Sequence, residues 1–504
     1  MTRLPARLME TWRTLDTTTR VLIVSGATLL VAVAIVVAYL VLQRPGDILD
    51  EDAAFDAKEK ERLEKEHVNW PLYGFDLERT RYLPAKGVEP PFDHRFLFDA
   101  HELLEFSPIY IDGVLYVMNK EAVFLAVDAG NGKVLWKRDL GQLGAAAPAY
   151  EDGKLFIVTL DPGRAIALRA KDGKRLWTRD LPGRSESSPL VKDGVVYFGA
   201  ETGDLYAVKA EDGSDVWHID TAGSVKAGPA YHDGTIYVGD YAGHMYAVRA
   251  DDGAVRWDTT DLGVGFGRSG RFYATPAIAF GRVYAGNADG RVYSFEASTG
   301  DIAWTHSTGD LVYAAPAVAD TPTTPPSVYI GSGNGVFFAL NADNGAEIWH
   351  SEPFGGLVTG AASVIGDIVY ASAIGTGRTK GFAIEDGEVV YSVDKGEYNP
   401  VISDGNRIWL TGYAGITKLT PKGADQGDGG GKGGGGKPKG GGSGEQGGGG
   451  KGGGKPRGHG KKNKGGNKGN GKGGKGKPKG GGQKHGKGKG KKGGKKKTGG
   501  GNAD

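Results

Sequence analysis

The chain of 504 residues has a formal net charge of only +2, but its charges are unevenly distributed. Residues 421–504 carry 23 Lys and Arg against 4 acidic residues, a net charge of +19, so the rest of the chain is acidic with a net charge of −17. The absence of cysteine excludes disulfides, thiolate metal sites, a cysteine nucleophile and a lipid-modified cysteine.

An uncharged apolar stretch near the N-terminus predicts a membrane-spanning helix. Residues 1–20 form a short polar segment with four arginines, and residues 21–42 then contain no charged side chain. A helix of this length crosses roughly 30 Å of hydrocarbon. A cleaved signal peptide is the alternative, although its apolar core is usually shorter, about 7–15 residues. No convincing cleavage site precedes the next polar segment, which favours an uncleaved anchor.

The flanking charges predict the orientation of this helix. Four arginines precede it, whereas a single arginine, Arg44, follows it and leads into an acidic run at 47–52. The positive-inside rule places the N-terminus in the cytoplasm. We therefore expect a single-pass protein of the plasma membrane with an extracytoplasmic body. Residues 43–69 are charged and rich in helix formers, so we expect a solvated juxtamembrane helix or stalk there.

A unit of about 40 residues recurs through the central region. Its clearest part is a short apolar strand, an acidic-Gly turn and a second strand that ends in tryptophan. A further hairpin, often turning at Asp-Gly, precedes this motif in each unit. Four antiparallel strands per unit predict the blade of a β-propeller. The motif copies are 126–136, 167–177, 207–217, 247–257, 294–304, 339–349 and a shorter one at 383–391, which ends in Tyr391.

The count of strands predicts how the ring closes. Seven complete units are followed by an eighth, at 401–419, which has only three strands. The alternating segment 94–99 has no unit of its own. Because open sheet edges are costly, the ring has to close. We therefore predict an all-β, eight-bladed propeller over residues 70–420 whose last blade is assembled from both ends of the region.

Two kinds of loop are candidates for function. Insertions lengthen the connection at 261–273 and the first hairpin of the sixth unit at 320–327. The loops that enter each innermost strand converge over the central channel. Their mixture of acids, bases and phenols can bind a polar ligand or a peptide, or can be an ordinary solvated rim. The candidate residues at this rim are Glu105, Glu186, Lys226, Arg271, Tyr273, Tyr313 and Tyr398.

No motif in the chain assigns catalytic or metal chemistry. The ten histidines show no metal-binding spacing, and no phosphate loop or Gly-x-Ser-x-Gly elbow is present. The recurring Asp-Gly pairs are explained as turn formers. We therefore expect no metal site and assign no catalytic residue.

Residues 421–504 form a Gly/Lys-rich tail that holds 40 of the 88 glycines and almost no apolar side chain. Such a segment cannot bury enough surface to offset the entropy of ordering, so we predict disorder. A polycation attracts polyanions, and outside the cell these are anionic envelope polymers or lipid headgroups. The lack of interleaved aromatic residues disfavours nucleic acid. A solubilising spacer is the alternative.

The repeats resemble those of the pyrroloquinoline-quinone (PQQ) propeller superfamily, whose signature is Ala-x-Asp-x-x-Thr/Asn-Gly-x-x-x-Trp. Ala126, Asp128, Asn131, Gly132 and Trp136 match this signature almost fully. The segment 70–81 also resembles the start of the quinoprotein body. The resemblance implies that the motif tryptophans pack between neighbouring blades; these are Trp136, Trp177, Trp217, Trp257, Trp304 and Trp349.

The resemblance implies two possible functions. One branch of the superfamily comprises alcohol and glucose dehydrogenases that hold PQQ and Ca²⁺. The other comprises non-enzymatic scaffolds, typified by the outer-membrane protein assembly lipoprotein. The chain lacks the adjacent cysteine pair of several of the enzymes and their long inter-blade insertions. We therefore expect a binding or assembly scaffold with protein partners and no cofactor. A quinoprotein-like dehydrogenase that binds PQQ and Ca²⁺ is the alternative.

Overall fold

The computed structural model of the chain describes residues 14–42, 45–56, 68–263, 269–398 and 401–423. The predicted cytoplasmic segment falls largely outside these ranges, as does the predicted disordered tail beyond residue 423. The cytoplasmic location of the first and the disorder of the second therefore stay predictions.

The N-terminal apolar stretch forms a single helix, α1 (Thr17–Leu42). Asp16 caps it, because its carboxylate accepts a hydrogen bond of 2.9 Å from the backbone N–H of Thr19. Residues 17–39 are long and apolar enough to cross a membrane, and a signal sequence near the N-terminus would meet the same criteria. The helix agrees with the predicted span at 21–42, while its topology stays a prediction.

The rest of the described chain is built mainly from short β-strands. Two strands precede the first blade: β1 (Tyr82–Leu83) and β2 (Phe92–Asp99). The first four blades each use four consecutive strands, ordered from the centre of the ring to its outside. They are β3 (Ile109–Ile111), β4 (Val114–Met118), β5 (Val123–Asp128), β6 (Val134–Asp139); β7 (Ala149–Glu151), β8 (Lys154–Thr159), β9 (Arg164–Arg169), β10 (Arg175–Asp180); β11 (Leu190–Lys192), β12 (Val195–Gly199), β13 (Asp204–Lys209), β14 (Asp215–Asp220); and β15 (Ala230–His232), β16 (Thr235–Gly239), β17 (His244–Arg249), β18 (Val255–Thr260).

Blades five to seven continue this order, and three further strands follow them. These strands are β19 (Ala277–Ala279), β20 (Arg282–Gly286), β21 (Arg291–Glu296), β22 (Ile302–Ser307); β23 (Ala317–Thr321), β24 (Thr324–Gly331), β25 (Phe337–Asn341), β26 (Glu347–His350); β27 (Ser363–Ile365), β28 (Ile368–Ala373), β29 (Arg378–Ala383), β30 (Val389–Val393); and β31 (Val401–Ser403), β32 (Ile408–Thr411), β33 (Gly415–Pro421).

The eighth blade joins the two ends of the propeller. Strand β2, from the N-terminal side, pairs antiparallel with β33 and becomes the outermost strand of the sheet β31-β32-β33-β2. The predicted eight blades and the predicted closure are thus confirmed. The observed strand begins two residues before the predicted segment 94–99.

Burial explains the strand sequences within a blade. In blade three, β12 and β13 are buried along almost their whole length, whereas β14 is mostly exposed. The middle strands lie between two neighbouring blades, so both of their faces are covered and both require apolar side chains. The outer strand keeps Trp217 as its buried anchor.

Alternating strand directions give the ring two faces. The turns between first and second strands and between third and fourth strands lie on one face, which we call the turn face. Asp193 and Gly194 form such a turn with positive φ values of 51° and 77°, as a type I′ hairpin turn requires. The connections between blades lie on the opposite face, which we call the mouth face.

The repeated motif forms the joint between blades. Gly213 has a φ of +74°, and a Cβ there would lie 2.8 Å from the ring of Trp177 in the preceding blade. The indole N–H of Trp177 donates a 3.1 Å hydrogen bond to the carbonyl of Ala210. The predicted packing of the motif tryptophans between blades is confirmed. The corresponding bonds join Trp136 to Ala170, Trp217 to Ala250, Trp257 to Ala297, Trp304 to Ala342 and Trp349 to Ile384. Between blades eight and one, Trp409 of the second strand β32 donates to the carbonyl of Ala129 instead.

Residues 70–85, which we call the channel plug, cross the centre of the ring. Their carbonyls accept hydrogen bonds from the innermost strands of six blades, and β1 pairs in parallel with β27. The plug thus satisfies N–H groups on strand edges that face the channel. The bonds run to Trp70 from Tyr110, to Pro71 from Tyr150, to Leu77 from Tyr231, to Glu78 from Ile278, to Thr80 from Val318 and to Arg81 from Val364.

Two arginines anchor the plug within the ring. Arg79 is fully buried, and its guanidinium donates to the carbonyls of Pro229 (2.9 Å) and Pro189 (3.0 Å). Arg81 donates to the carbonyl of Pro316 (3.1 Å) and lies 4.8 Å from the centre of the Tyr73 ring. Burial, assisted by Arg81, lowers the pKa of Arg79 to about 9. Carbonyl groups of three blades are therefore held by two side chains.

Residues 45–56, which we call the juxtamembrane latch, lie along the outer edge of blade five. Leu49 forms an antiparallel bridge with Trp304, and the N–H of Asp50 donates to the carbonyl of Ala303 at 2.7 Å. The predicted solvated helix or stalk is therefore wrong for these residues. Residues 57–67 lie outside the described part of the chain.

Side chains of blade five fasten both ends of the latch. Asp47 accepts hydrogen bonds from the backbone N–H (3.1 Å) and the hydroxyl (2.7 Å) of Ser307. At the other end, Arg282 is buried and donates to the carbonyls of Ala53 (2.8 Å) and Ala54 (2.5 Å). The acidic run thus pairs with residues about 250 positions away, and this pairing has no local signal in the sequence.

The plug can be tested by removing one anchor. Arg79→Ala leaves several buried carbonyls without a donor, so we expect the free energy of unfolding to fall by at least about 3 kcal/mol. Denaturant unfolding of the purified chain measures the change. Arg95→Ala, at an exposed position of β2, is the matched control, and its free energy of unfolding should fall by less than about 0.5 kcal/mol. Equal stability of the two variants would contradict the role of Arg79.

The latch can be tested at the residue preceding the motif tryptophan. Ala303 is 1% exposed beneath the latch, whereas Val216 at the same position of blade three is 39% exposed. The arginine side chain of Ala303→Arg has no room beneath the latch. This variant should therefore have a melting temperature lower by several degrees, as expected for about 1–3 kcal/mol of overpacking. Val216→Arg should leave it nearly unchanged. Similar melting temperatures for the two variants would show that the latch is not docked.

Candidate functional site

The mouth face opens into a shallow pocket on the axis of the ring. The connections that enter the innermost strands form its wall, and Tyr73 of the channel plug forms part of its floor. Six of the seven predicted rim residues line this pocket. They are Glu105, Glu186, Lys226, Tyr273, Tyr313 and Tyr398.

The seventh predicted residue, Arg271, lies beside the pocket rather than in its lining. Its guanidinium lies 5.3 Å from the centre of the Tyr241 ring, and the ammonium of Lys226 lies at the same distance from that ring. Tyr241 was not predicted. It belongs to the loop between the second and third strands of blade four, and the prediction considered only loops that enter innermost strands.

Lys226 forms the charged centre of the pocket. Its ammonium lies 2.5 Å from a carboxylate oxygen of Glu186 and 2.8 Å from one of Glu201. All three side chains are at most 26% exposed, so the group is only partly screened by water. Burial lowers the pKa of Lys226, but the hydrogen bonds to the two carboxylates outweigh burial and raise it. The lysine is therefore a fixed cation that holds two acids in place.

Tyrosine rings cover one side of the pocket. The ring centres of Tyr273 and Tyr313 lie 5.2 Å apart, and those of Tyr241 and Tyr273 lie 6.0 Å apart. Burial raises the pKa of Tyr241 and of Tyr273, so both phenols stay protonated. The rings form a rigid aromatic wall whose hydroxyl groups can donate hydrogen bonds.

Glu105 lies on the wall of the same pocket. Burial and the nearby carboxylate of Glu186 raise its pKa, while Lys120 and Lys226 act in the opposite direction. The mouth therefore combines a half-buried acid, a paired lysine and phenols, which can recognise a polar group or a peptide side chain.

The predicted insertion at 261–273 lies on the mouth face next to blade five. Asp261 accepts a hydrogen bond from the side-chain amide of Asn287 at 3.0 Å, and burial together with Asp289 raises its pKa to about 6. This carboxyl group ties the start of the insertion to the blade. Residues 264–268 lie outside the described part of the chain.

The mouth does not fit a quinone cofactor with Ca²⁺. Its volume is about 60 Å³, whereas small-molecule and cofactor sites usually have roughly 300–1,000 Å³. The plug residue Tyr73 occupies the depth of the channel, and Glu186 is already paired with Lys226. Within the described residues, no group of three or more His, Asp or Glu side chains could hold a metal ion.

A larger cavity of about 320 Å³ lies on the turn face between the plug and the end of the latch. Its apolar floor includes Ile278, Phe280 and Val318, and Asp56 and Glu78 lie at its edge. None of the predicted rim residues lines it. The site predicted from the sequence and this cavity are therefore on opposite faces.

The sequence matches the family described as outer membrane protein assembly factor BamB at residues 119–224 and 201–423, which together exceed half of the chain. The chain belongs to the BamB family of PQQ-like propellers. This agrees with the eight blades and with the joints that the motif tryptophans form.

Solved structures share the fold of this BamB-family chain. BamB from Moraxella catarrhalis has a TM-score of 0.52 at 18% identity, over 65% of this chain and 98% of that one. The quinohemoprotein alcohol dehydrogenase ADHIIG from Pseudomonas putida HK5 has a TM-score of 0.59 at 16% identity, over 70% and 80% of the two chains. At these identities the likeness shows the fold alone.

Among curated proteins, the dehydrogenase subunit of alcohol dehydrogenase (quinone) from Komagataeibacter europaeus is 32% identical over 117 residues. The match covers 20% of this chain and 16% of that protein. The BamB-family chain therefore spans a small part of this relative, and the match reflects the repeat that the two proteins share.

The raised pKa of Glu105 predicts a pH-dependent stability. In the folded state this carboxyl group keeps its proton above its ordinary value of 4.5, so the stability falls as the pH rises from there through the raised pKa. Glu105→Gln removes that loss of stability, because glutamine has no proton to lose. The variant should melt at a higher temperature than the wild type at pH 7 and at the same temperature near pH 4.

Thermal unfolding from pH 4 to pH 8 measures this difference. Glu121→Gln changes an exposed acid of the same blade and is the control; its melting curve should follow the wild type at every pH. A Glu105→Gln variant that loses stability at pH 7 would show that the charged carboxylate is needed in the fold.

Proposed function

We propose that the chain is a membrane-anchored, extracytoplasmic scaffold that binds a protein partner at its channel mouth and catalyses no reaction. The observation that carries this proposal is the shape of the mouth: a filled channel ends in a shallow pocket of about 60 Å³. Such a mouth offers a surface to a partner and little volume to a cofactor.

The side chains of the mouth suit a protein surface. Aromatic residues and arginine are enriched in protein interfaces, and tyrosine supplies a large apolar area with a polar tip. Here Tyr273 and Tyr313 stand beside the ion pair of Glu186 and Lys226. A partner with a polar side chain and an apolar neighbour would find charged groups and aromatic rings together.

The relatives support the scaffold over the dehydrogenase. The family is named for an outer membrane protein assembly factor, and its match extends over most of the propeller. The match to the quinone-dependent alcohol dehydrogenase is confined to a fifth of this chain. The helix α1 supports the anchor, since residues 17–39 can span a membrane.

A photo-crosslinking amino acid at the mouth tests the proposal. Placed at Tyr313, it should give one discrete adduct with a protein of the native membrane, and the adduct should weaken several-fold in a Tyr273→Ala background. The matched control position is Asn131, which is exposed on the turn face of blade one. Adducts of equal yield at both positions, or none at 313 in folded protein, would refute a binding site at the mouth.

The dehydrogenase alternative has its own measurement. The purified chain is incubated with PQQ and Ca²⁺, passed over a desalting column and assayed with an alcohol and an artificial electron-accepting dye. We expect no quinone absorbance in the protein fraction and no dye reduction. Retained quinone together with alcohol oxidation would overturn the non-catalytic proposal.

A further inference from the structure

The juxtamembrane latch runs from the mouth face to the turn face along blade five. Arg291, at the mouth-face start of β21, donates to the carbonyl of Pro45. At the other end, the N–H of Asp56 donates to the carbonyl of Phe280 in a turn-face hairpin, at 3.0 Å. The latch is therefore antiparallel to β22, and its first residue lies at the mouth-face end of the blade.

Blade five differs from its neighbours at the surface that the latch covers. The residue before the motif tryptophan is 41% exposed at Leu176 in blade two and 39% exposed at Val216 in blade three. The corresponding Ala303 is 1% exposed and small. Buried Arg282, bonded to the latch backbone, adds a second specific contact. Ala303 and Arg282 thus allow the latch to dock on blade five along a single path.

The short chain segment between α1 and the latch limits the distance between blade five and the membrane. The helix α1 ends at Leu42, and Pro45 is already docked on blade five. Three Cα–Cα steps separate these residues, and they span at most about 11 Å in any conformation. The six-residue strand β22 is itself about 20 Å long, so its two ends differ in their distance from the helix.

We propose that the latch holds the propeller with the mouth-face corner of blade five at the membrane surface, so that the mouth face is nearer the bilayer than the turn face. The partner at the mouth is then a segment of a membrane protein that emerges at the bilayer surface. This inference rests on the proposed anchor and on the proposed binding site at the mouth.

Single cysteines can measure the orientation, because the natural sequence contains none. Asp310→Cys labels the mouth face just after blade five, and Ser298→Cys labels the turn face of the same blade; both positions are exposed. The full chain is labelled with a fluorophore and reconstituted into vesicles whose lipid headgroups carry a nitroxide quencher. Asp310→Cys should lose most of its fluorescence, and Ser298→Cys should lose much less.

A second pair of labels controls for general proximity. Glu121→Cys and Asn131→Cys mark the mouth face and the turn face of blade one, and both are exposed. Each should be quenched less than Asp310→Cys, since blade five carries the tether. Equal quenching at Asp310→Cys and Ser298→Cys, or stronger quenching at Ser298→Cys, would overturn the proposed orientation.

A longer link between α1 and the latch tests whether the short connection sets the orientation. Twenty Gly and Ser residues inserted between Arg44 and Pro45 leave every latch contact in place and release the propeller from the helix. The difference in quenching between the two blade-five labels should then disappear. If it persists, the orientation has another cause and the latch does not set it.

The outcomes distinguish this inference from its premises. A chain that fails to remain with the vesicles contradicts the anchor, whereas an anchored chain with equal quenching contradicts the orientation alone. The protein crosslinked at Tyr313 gives the third answer, and it is measured on the uncrosslinked form of that protein because the adduct carries α1. Extraction of the uncrosslinked protein only by detergent supports a membrane partner. A partner that carbonate washing releases overturns this part of the proposal.

Discussion

The hydrogen bonds between the channel plug and the innermost strands are the interaction on which the rest of the structure depends. Eight sheets that meet at an axis leave eight inner edges, and each unpaired N–H there would be costly. The plug backbone pairs with many of these groups, and Arg79 and Arg81 satisfy carbonyls of three blades. The ring is thereby joined through its centre as well as at its blade interfaces.

The plug also determines the character of the mouth. Because Tyr73 lies on the pocket floor, the channel does not form a deep cavity. The charged groups above it pair with one another, as Lys226 does with Glu186 and Glu201. A pre-organised surface of this kind loses little side-chain freedom on binding, which favours recognition of a protein over chemistry on a small molecule.

The propeller has two further attachments at its edges, and both use chain from the N-terminal side. Strand β2 completes blade eight, while the latch adds backbone pairing to the outer strand of blade five. Both cover sheet edges that would otherwise be open to other chains. The first closes the ring, and the second ties it to the helix that precedes it.

Local sequence patterns determined the parts of this protein that rest on local interactions. The repeated strand-turn-strand motif predicts blades because each blade pairs neighbouring segments, and Gly213 with Trp177 shows why the motif is needed at every joint. The count of strands also predicts the closure by β2. The rim residues were predicted from their place before innermost strands, since the geometry of a propeller brings those loops together.

Tertiary structure alone decided the plug, the latch and the pairing within the mouth. Buried Arg79 looks like any exposed arginine in the sequence, and Asp47 belongs to a run that resembles a solvated stalk. Tyr241 was missed for a different reason: its loop joins the second and third strands of blade four, whereas the rim was predicted from the loops that enter innermost strands. The contacts of Arg79 and Asp47 join residues far apart in the chain, so their energies depend on burial and distance that no local pattern records.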